Sequence, residues 1–352
     1  MHELFFELLR VSAGVDKSLS RTPDAGEWAA LFKICKDQAL IAFCFDGVNT
    51  LPANQMPPQD IIIKWIALAN SVRNRNMVIN DRCADIMEML QADGFSPVIL
   101  KGQGNATMYP NPLARQSGDI DVWLDAGEDV VKKYVEERDP AHHEYNVHHI
   151  DYHCFPEVEV EMHFALGKAS DNLFSSRFYD WFSRMRLKDY PSVTLPNGRN
   201  IVVPSMELNL IYQLVHIDQH FGPGGVGLRQ ILDYYYLLRE AGRRGYDFEE
   251  YRNVVSMLKL KKIGGSLMYV FRHVMHMDES MLPLEIDERH GRFMLREIAE
   301  GGNFGYLRRA RNAGYSTFGR RLRNLGRNLR FIPYFPGSAF RHYYKAIKGL
   351  FK

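Results

Sequence analysis

The apolar residues of segment 1–95 recur at helical spacing. They stand three or four positions apart in residues 26–43 and again in residues 60–76, so in each segment they would share one face of a helix. The side chains that we expect to be buried are Trp28, Leu31, Phe32 and Cys35 in the first segment, and Ile63, Trp65, Ile66 and Leu68 in the second. A further helix is predicted over residues 80–93, before Gly94, because glycine adopts the left-handed conformation that ends many helices.

The period of the apolar residues changes after Gly94. Ile120, Val122 and Leu124 alternate with other residues, which is typical of a strand with one buried face. A short apolar run and two later alternating runs indicate more strands, and the four residues between the last two suit a hairpin loop. We expect strands at residues 96–100, 120–124, 144–153 and 158–164, and helices at 103–109 and 128–137.

Helical spacing returns at residue 204 and continues to residue 300, with a glycine-rich interruption at residues 222–227. A chain of 352 residues exceeds the size at which a single hydrophobic core stops growing, so we expect more than one lobe. The prediction is an α+β protein in which a small mixed β-sheet lobe is embedded between helical segments. We expect an N-terminal helical segment, the sheet lobe, a helical lobe and a tail at residues 1–95, 96–203, 204–307 and 308–352.

The charge of the chain is divided unevenly. The total is only +2, from 44 Lys and Arg against 42 Asp and Glu, but residues 308–352 hold 12 basic and no acidic residues. Residues 1–307 therefore carry 32 basic and 42 acidic groups, a net charge of −10. Such a tail predicts binding to a polyanion such as tRNA, to a membrane surface, or to the acidic body of its own chain. The sequence leaves these three possibilities open.

Composition narrows the class and the compartment. With 46% hydrophobic and 24% charged residues, the chain is globular, which excludes a disordered, collagen-like or coiled-coil protein. Four cysteines without a C-x-x-C pair indicate neither a disulfide framework nor a zinc ribbon. The N-terminus lacks the features of a signal peptide, and no apolar run approaches the length of a membrane span. We therefore predict a cytoplasmic protein without a transmembrane segment.

The strongest chemical signal is the segment SGDIDVW. Residues two apart on a strand share a face, so Asp119 and Asp121 would project together. Two adjacent carboxylates repel each other, and a hard divalent cation such as Mg²⁺ or Mn²⁺ relieves that repulsion. On the later acidic strand, Glu159, Glu161 and His163 also share one face. If the two strands are neighbours, Glu161 or Glu159 completes a cluster of three carboxylates, which suits phosphoryl or nucleotidyl transfer.

Groups that suit a nucleotide triphosphate precede the paired aspartates. Lys101 and Gly102 lie where a strand ends and a helix opens, and a glycine there lets backbone N–H groups approach phosphate. Arg115 stands four residues before Asp119, and the fixed fork of its guanidinium suits phosphate oxygens. An isolated D-x-D is common, so the prediction depends on the order of turn, arginine, aspartates and acidic strand rather than on one motif.

The segment VILKGQGNATMYPNPLARQSGDIDVWL resembles the core motif of the bacterial uncharacterised nucleotidyltransferase family. That family belongs to the DNA polymerase β-like superfamily and is related to the abortive-infection nucleotidyltransferase toxins. The resemblance covers residues 98–164, with a weaker likeness at 216–238, and Gln103 stands where the superfamily turn usually has Ser or Gly. It implies that the catalytic metal ligands are Asp119, Asp121 and Glu161. It also implies a nucleotide site that contains Lys101, Gly102, Arg115 and Ser117.

Two predicted helices of the second lobe carry polar pairs at four-residue spacing. His216 and His220 share a face of one helix, and Arg229 and Asp233 share a face of the next. The resemblance implies that these pairs face the nucleotide cleft, with Arg229 on phosphate or base and Asp233 orienting it or helping to deprotonate the acceptor. A solvated ion pair and structural histidines are the alternative interpretation.

Histidines are concentrated near the acidic strand and suggest a zinc site as an alternative. Six fall within 22 residues, at His142, His143, His148, His149, His153 and His163. No helical H-E-x-x-H and no cysteine at metal-site spacing accompanies them, so we interpret most of them as the polar faces of strands. His163 is the exception, because a neutral imidazole beside Glu161 would orient that carboxylate.

Three function classes fit these features. The leading one is a nucleotidyltransferase that moves NMP from an NTP to the hydroxyl of a small molecule, a protein or tRNA and releases pyrophosphate. A glycosyltransferase also uses D-x-D to hold a metal and a nucleotide diphosphate, but its motif normally follows alternating β and α units, whereas helices precede it here. The third is a non-catalytic nucleotide- or RNA-binding module with a degenerate site. The sequence identifies neither the acceptor nor the preferred NTP.

Overall fold

Helical segments enclose a small mixed β-sheet in the computed structural model, and the fold is α+β, as predicted. The structure describes residues 3–139, 146, 148–166, 173–185, 189–221, 225–305, 307, 326 and 329–337. The helices in this part of the chain are α1 (Glu3–Ser12), α2 (Ala25–Asp37), α3 (Ile41–Val48), α4 (Gln59–Ala92), α5 (Gly102–Ala106), α6 (Glu128–Arg138), α7 (Leu173–Met185), α8 (Met206–Phe221), α9 (Leu228–Arg243), α10 (Glu249–Met257), α11 (Lys261–Val274) and α12 (Glu288–Gly301). The strands are β1 (Val98–Leu100), β2 (Ile120–Trp123), β3 (His149–Tyr152), β4 (Val160–His163), β5 (Ser192–Thr194) and β6 (Asn200–Val202).

The main sheet places the two acidic strands side by side. Its order is β1-β2-β4-β3, with β2 and β4 parallel and the other two pairs antiparallel, while β5 and β6 form a separate antiparallel pair. Asp121 on β2 stands opposite Glu161 on β4, which in turn stands opposite Asp151 on β3. The expected pairing of the acidic strands is therefore confirmed. Residues 144, 145 and 147 of the predicted third strand lie outside the described residues.

One face of this sheet is apolar and packs on two helices. The buried residues of this packing include Ile120, Val122, Val160 and Met162 of the sheet, Ile79 and Ile86 of α4, and Val131 and Val135 of α6. Because side chains alternate along a strand, the intervening residues Asp121 and Glu161 project from the opposite face. The apolar packing thus fixes the side of the sheet on which the carboxylates lie.

The segment predicted as two helices, residues 60–76 and 80–93, is the single helix α4. No Gly or Pro stands between the two patterns, so nothing in the sequence ends the helix there. Ile61, Trp65 and Ala69 are buried at four-residue spacing, whereas Ile63 is 59% exposed. The predicted buried face was therefore wrong except for Trp65. The helix packs through Trp65 and the residues one turn before and one turn after it, Ile61 and Ala69.

The described part of the basic tail packs on the helical lobe. The ring of Phe331 lies 4.9 Å, centroid to centroid, from that of Phe293 on α12, and Arg330 lies 3.5 Å from Glu297. This short segment therefore docks on its own chain, which was one of the three possibilities. Most of the basic residues of 308–352 lie outside the described residues, and the boundaries of the four predicted regions stay predictions. No helix in the described part of the chain is both long and apolar enough to cross a membrane.

Candidate active site

Polar side chains occupy the second face of the main sheet. Asp121, Glu161 and Asp151 form a row across β2, β4 and β3, and the next row contains His163 and His149. Asp121 is 6% exposed and His163 is 2% exposed, whereas the side chain of Glu161 keeps 28% of its surface open. The row therefore begins with a buried carboxylate and continues with one that solvent and ligands can reach.

Asp121 is held by two nitrogen groups. Its Oδ1 lies 3.0 Å from Lys101 Nζ and 2.9 Å from His163 Nε2. Burial alone would raise the pKa of Asp121, but the charge of Lys101 and the hydrogen bond with His163 hold that pKa well below its usual range. The charge of Asp121 likewise raises the pKa of Lys101 against the effect of burial. Asp121 is therefore an ionised, buried carboxylate, and such a group needs positive charge beside it.

Glu161 is linked to Asp121 through His163. Glu161 Oε2 lies 3.3 Å from His163 Nε2, the nitrogen that also contacts Asp121, and 3.2 Å from His149 Nδ1. Burial lowers the pKa of His163, but hydrogen bonds with the two carboxylates raise it overall. One ligand atom from each of Asp121, Glu161 and His163 lies within 4.8 Å of the others. Two carboxylates on neighbouring strands fit Mg²⁺ or Mn²⁺, with the imidazole placed to orient them.

The other two predicted carboxylates lie outside this group. Asp119 precedes β2 and Glu159 precedes β4, and both are exposed. Burial of the surrounding site and the negative charge of Asp121 raise the pKa of Asp119, while Lys101 opposes that rise. Neither residue belongs to a group of three metal-ligand side chains in the described part of the chain. Asp119 thus stands at the solvent edge of the site, near enough to Asp121 for their charges to interact.

The turn between β1 and α5 directs Lys101 at Asp121. Lys101 and Gly102 have backbone φ angles of +49° and +36°, in the region that favours glycine. A Cβ at Gly102 would meet nothing closer than a carbonyl oxygen at 4.0 Å, so the backbone conformation rather than space requires glycine there. Lys101 Nζ also lies 5.8 Å from the ring centroid of Tyr212 on α8. A lysine held at positive φ is strained, and such strain is concentrated at functional sites.

Arg115 and Asp233, both predicted to bind nucleotide, are paired with each other. Arg115 Nε and Nη2 donate to the two oxygens of Asp233, each at 2.7 Å. The Tyr109 hydroxyl donates to the same carboxylate at 2.7 Å, and Arg115 Nη1 donates to the Ser117 hydroxyl at 2.8 Å. Burial lowers the pKa of Arg115, but the charge of Asp233 raises it overall. This buried network ties the loop before β2 to α9.

Ser117 extends the network toward α4. Its hydroxyl donates to Gln103 Oε1 at 2.5 Å, and the Gln103 amide donates to Asn80. Asn76 of the same helix donates to the backbone carbonyl of Arg115 at 2.7 Å. Gln103, where this chain differs from the usual superfamily turn, therefore connects the predicted phosphate loop to α4. The hydroxyl of Ser117 is used within this chain of hydrogen bonds.

Helices α8 and α9 place the remaining predicted residues beside the sheet. Burial, followed by the charge of Lys101, lowers the pKa of His216 well below its usual value, so its imidazole is neutral. The His216 ring lies 4.3 Å from that of His220. Arg229 donates to the carbonyl of Gln116 at 2.6 Å, and burial together with a neighbouring guanidinium lowers its pKa. His216 on α8 therefore lies near Lys101, and Arg229 on α9 contacts the loop before β2.

Two tyrosines of the site are not among the residues that the sequence singles out. Tyr212 lies beside the Lys101 ammonium. It stands four residues before His216, and this helical spacing could have placed it on the same face as His216. Tyr109 contacts Asp233 across 124 positions of the chain, and no local pattern indicates that contact. The sequence therefore predicts the charged residues of the site but misses the two tyrosines that contact them.

Residues 24–276 match the model of a family described as "uncharacterised nucleotidyltransferase". The chain belongs to this family. The matched segment contains every predicted site residue from Lys101 to Asp233 and ends before the basic tail. Family membership confirms the resemblance to the uncharacterised nucleotidyltransferase family that the sequence shows.

The chain is similar to an antigenic nucleotidyltransferase-like protein from Paracoccidioides brasiliensis, with 14% sequence identity and a TM-score of 0.36, over 59% of this chain and 93% of that one. A likeness at that TM-score carries no argument about function. No curated protein matches the chain.

Proposed function

We propose that this family member is a nucleotidyltransferase dependent on Mg²⁺ or Mn²⁺, which transfers NMP from an NTP to the hydroxyl of an acceptor and releases pyrophosphate. The observation that carries the proposal is the pairing of Asp121 with Glu161 on adjacent parallel strands, beside the Lys101 turn. Carboxylates in this arrangement are the chemistry that nucleotidyl transfer requires. The family match supports the class, and the geometry supports the choice of site.

Asp119, Asp121 and Glu161 are the residues that would hold the metal. When bound there, a divalent cation would neutralise triphosphate oxygens and lower the pKa of the attacking hydroxyl. Asp119 joins the set because it lies two residues before Asp121 at the open edge, where loss of solvent and then repulsion from Asp121 raise its pKa. A cation between the two would remove that repulsion.

The other residues of the site bind and orient the substrates. We assign Lys101 and Arg229 to the triphosphate, because both are cations beside the aspartates. Arg115, Ser117 and Asp233 act by holding the loop before β2 in place, since their polar groups bind one another.

In the reaction the acceptor oxygen forms a bond to the α-phosphorus, and the bond from that phosphorus to the bridging oxygen breaks. The proton of the acceptor hydroxyl passes toward Glu161, the more exposed of the two paired carboxylates. Pyrophosphate leaves with the electron pair of the broken bond. The neutral imidazole of His216 is suited to a hydrogen bond with the acceptor, and the ring of His220 lies beside it.

A non-catalytic nucleotide- or RNA-binding module is the second candidate. The contact that favours it is the ion pair of Lys101 with Asp121, in which an ammonium already neutralises the carboxylate. In that case nucleotide would bind without a divalent cation. The acceptor, whether small molecule, protein or tRNA, is open in either case.

We propose a cytoplasmic location, in accord with the free state of Cys35, Cys44, Cys83 and Cys154.

Two measurements test the proposal. Isothermal titration with ATP, CTP, GTP and UTP should detect binding of at least one of them only when Mg²⁺ is present. Each α-labelled NTP, incubated with Mg²⁺ and fractions of a cell extract, should then label an acceptor. Asp121→Asn should lower that labelling by about 10³-fold or more, while Asp125→Asn, an exposed aspartate in the following turn, should leave it unchanged. If an NTP binds equally well with and without Mg²⁺ and no acceptor becomes labelled, the result would favour the non-catalytic binding module instead.

A further inference from the structure

Three histidines come together at the edge of the main sheet. His149 of β3 stands opposite His163 of β4, and His148 immediately precedes β3. Their ring centroids are 4.6 Å apart for His148 and His149, 5.3 Å for His148 and His163, and 5.1 Å for His149 and His163. One ring nitrogen from each lies within 4.8 Å of the other two. We call these residues the histidine triad.

The nitrogen atoms of His163 have two different environments. Its Nε2 lies 2.9 Å from Asp121 Oδ1 and faces the carboxylate row. Its Nδ1 is buried and has no hydrogen-bond partner among the described residues. A buried ring nitrogen without a partner is costly, and a metal ion is one group that satisfies it. When one nitrogen of a histidine contacts a carboxylate, the other is commonly the metal ligand, and the carboxylate fixes the tautomer.

His149, on the neighbouring strand, also lies against carboxylates, but with both of its ring nitrogens. Its Nδ1 lies 3.2 Å from Glu161 Oε2, and its Nε2 lies 3.7 Å from Asp151 Oδ1. Two of the three imidazoles thus have a carboxylate close behind them. Carboxylates in that position increase the basicity of the imidazole and hold its ring in place.

We propose that the histidine triad binds a divalent transition metal of the Zn²⁺ class, at a site separate from the carboxylates that would hold Mg²⁺. Imidazole suits Zn²⁺ and its neighbours in the first transition series, whereas Mg²⁺ prefers oxygen. Three imidazoles leave a fourth position of a tetrahedral ion open to water or another ligand. The proposal does not depend on nucleotidyl transfer, since it concerns ring nitrogens that the proposed reaction does not use.

The two sites would be joined through His163 and His149. A metal on Nδ1 of His163 leaves the proton on Nε2, where it is donated to Asp121 or Glu161. A bound metal would therefore fix the orientation of the same carboxylates that form the candidate active site. We infer that the triad acts as a positioning site for the carboxylate row.

Titration with Co²⁺ tests this site without any nucleotide. The full chain, without a polyhistidine tag and treated with chelator, should bind one Co²⁺ with visible absorption bands typical of imidazole ligands, and Zn²⁺ should displace it. His148→Ala should weaken Co²⁺ binding by about 100-fold or more, because it removes a direct ligand. His153→Ala is the matched control, since His153 is an exposed histidine beyond the end of β3 and outside the triad.

Asp121→Asn separates this proposal from the alternative group of Asp121, Glu161 and His163. If the triad is the site, His148→Ala, which removes a ligand, weakens Co²⁺ binding more than Asp121→Asn, which removes only a hydrogen-bond partner of His163. The reverse pattern, or no Co²⁺ binding by the wild type, would overturn the proposal. His148→Gln should weaken Co²⁺ binding as His148→Ala does, and the circular dichroism spectrum of each variant shows whether it is still folded. Because no NTP is present, failure of this test is independent of failure of the proposed activity.

Discussion

Two buried clusters of charge, each built around an aspartate and a cation, differ in how completely their polar atoms are used. In the first, Asp233 receives two hydrogen bonds from Arg115 and one from Tyr109, all at 2.7 Å. In the second, Asp121 contacts Lys101 and His163 at a single oxygen, Oδ1. The first cluster is closed on itself, and the second is not.

The difference fits the proposal that the first cluster is structural and that the second binds the metal. In the Arg115 cluster both oxygens of Asp233 accept hydrogen bonds within the chain, and this geometry suits the fixing of one element to another. The Asp121 cluster shares His163 Nε2 between two carboxylates and leaves the side chain of Glu161 28% exposed. Incomplete satisfaction at a buried site is where a protein commonly binds something else. The sequence predicts both clusters as parts of one nucleotide site, whereas their contacts divide them.

Removal of the arginine from the closed cluster should have the largest effect on stability. Arg115→Ala leaves the buried carboxylate of Asp233 without its bidentate partner, and loss of one partner of a buried pair typically costs about 3–5 kcal/mol. Urea unfolding should show that decrease in the free energy of unfolding. Arg292→Ala, which removes a surface pair with Glu288, should change it far less.

A double variant sharpens this first prediction. Arg115→Met with Asp233→Leu removes both charges and should recover much of the stability that Arg115→Ala loses, because no unpaired charge stays buried. Equal losses in the single and double variants would mean that the packing of Arg115, not its pairing, holds the loop. That result would weaken the comparison between a closed and an open cluster.

The same kind of change in the open cluster should affect stability less. Asp121→Asn removes an anion from Lys101 but also relieves the repulsion between Asp121 and Asp119. We expect a change of about 1 kcal/mol in the free energy of unfolding, measured with urea. A loss as large as that of Arg115→Ala would show that Asp121 is mainly structural and would contradict its assignment to the metal.

The sequence predicts the site better where a local period carries the information. Alternation along β2 and β4 places Asp121 and Glu161 on one face, and the structure pairs them directly. The positive φ of Gly94 likewise confirms the end of a helix. The prediction of the buried face of α4 is wrong, because several faces of that helix carry apolar residues. Only the contacts with other parts of the chain determine which face is buried.

Contacts between distant segments could not be predicted in the same way. Arg115 and Asp233 are 118 positions apart, and each by itself is an ordinary candidate for phosphate binding or acceptor chemistry. The choice between ligand and partner depends on whether the two side chains meet, which no local pattern reports. The histidine triad is similar, since His163 joins His148 and His149 only through the pairing of β3 with β4.

The last effect that we predict concerns His216, on the α8 side of the open cluster. Burial lowers its folded pKa well below 6.5, whereas in the unfolded chain its pKa should be close to about 6.5. Below that pH the unfolded chain therefore binds a proton that the folded chain does not, so the free energy of unfolding falls as pH falls. The fall that this one residue adds is at most about 1.4 kcal/mol per pH unit.

His216→Gln should consequently reduce the loss of stability on acidification, because glutamine cannot take up the proton. Urea unfolding at about pH 7.5 and about pH 5.5 measures the difference for each protein. His273→Gln, at an exposed histidine of α11, should keep the wild-type dependence. Parallel pH profiles for wild type and His216→Gln would mean that the imidazole accepts a proton in the folded state. His216 would then be a cation facing Lys101, which would contradict a neutral hydrogen-bonding role beside the acceptor.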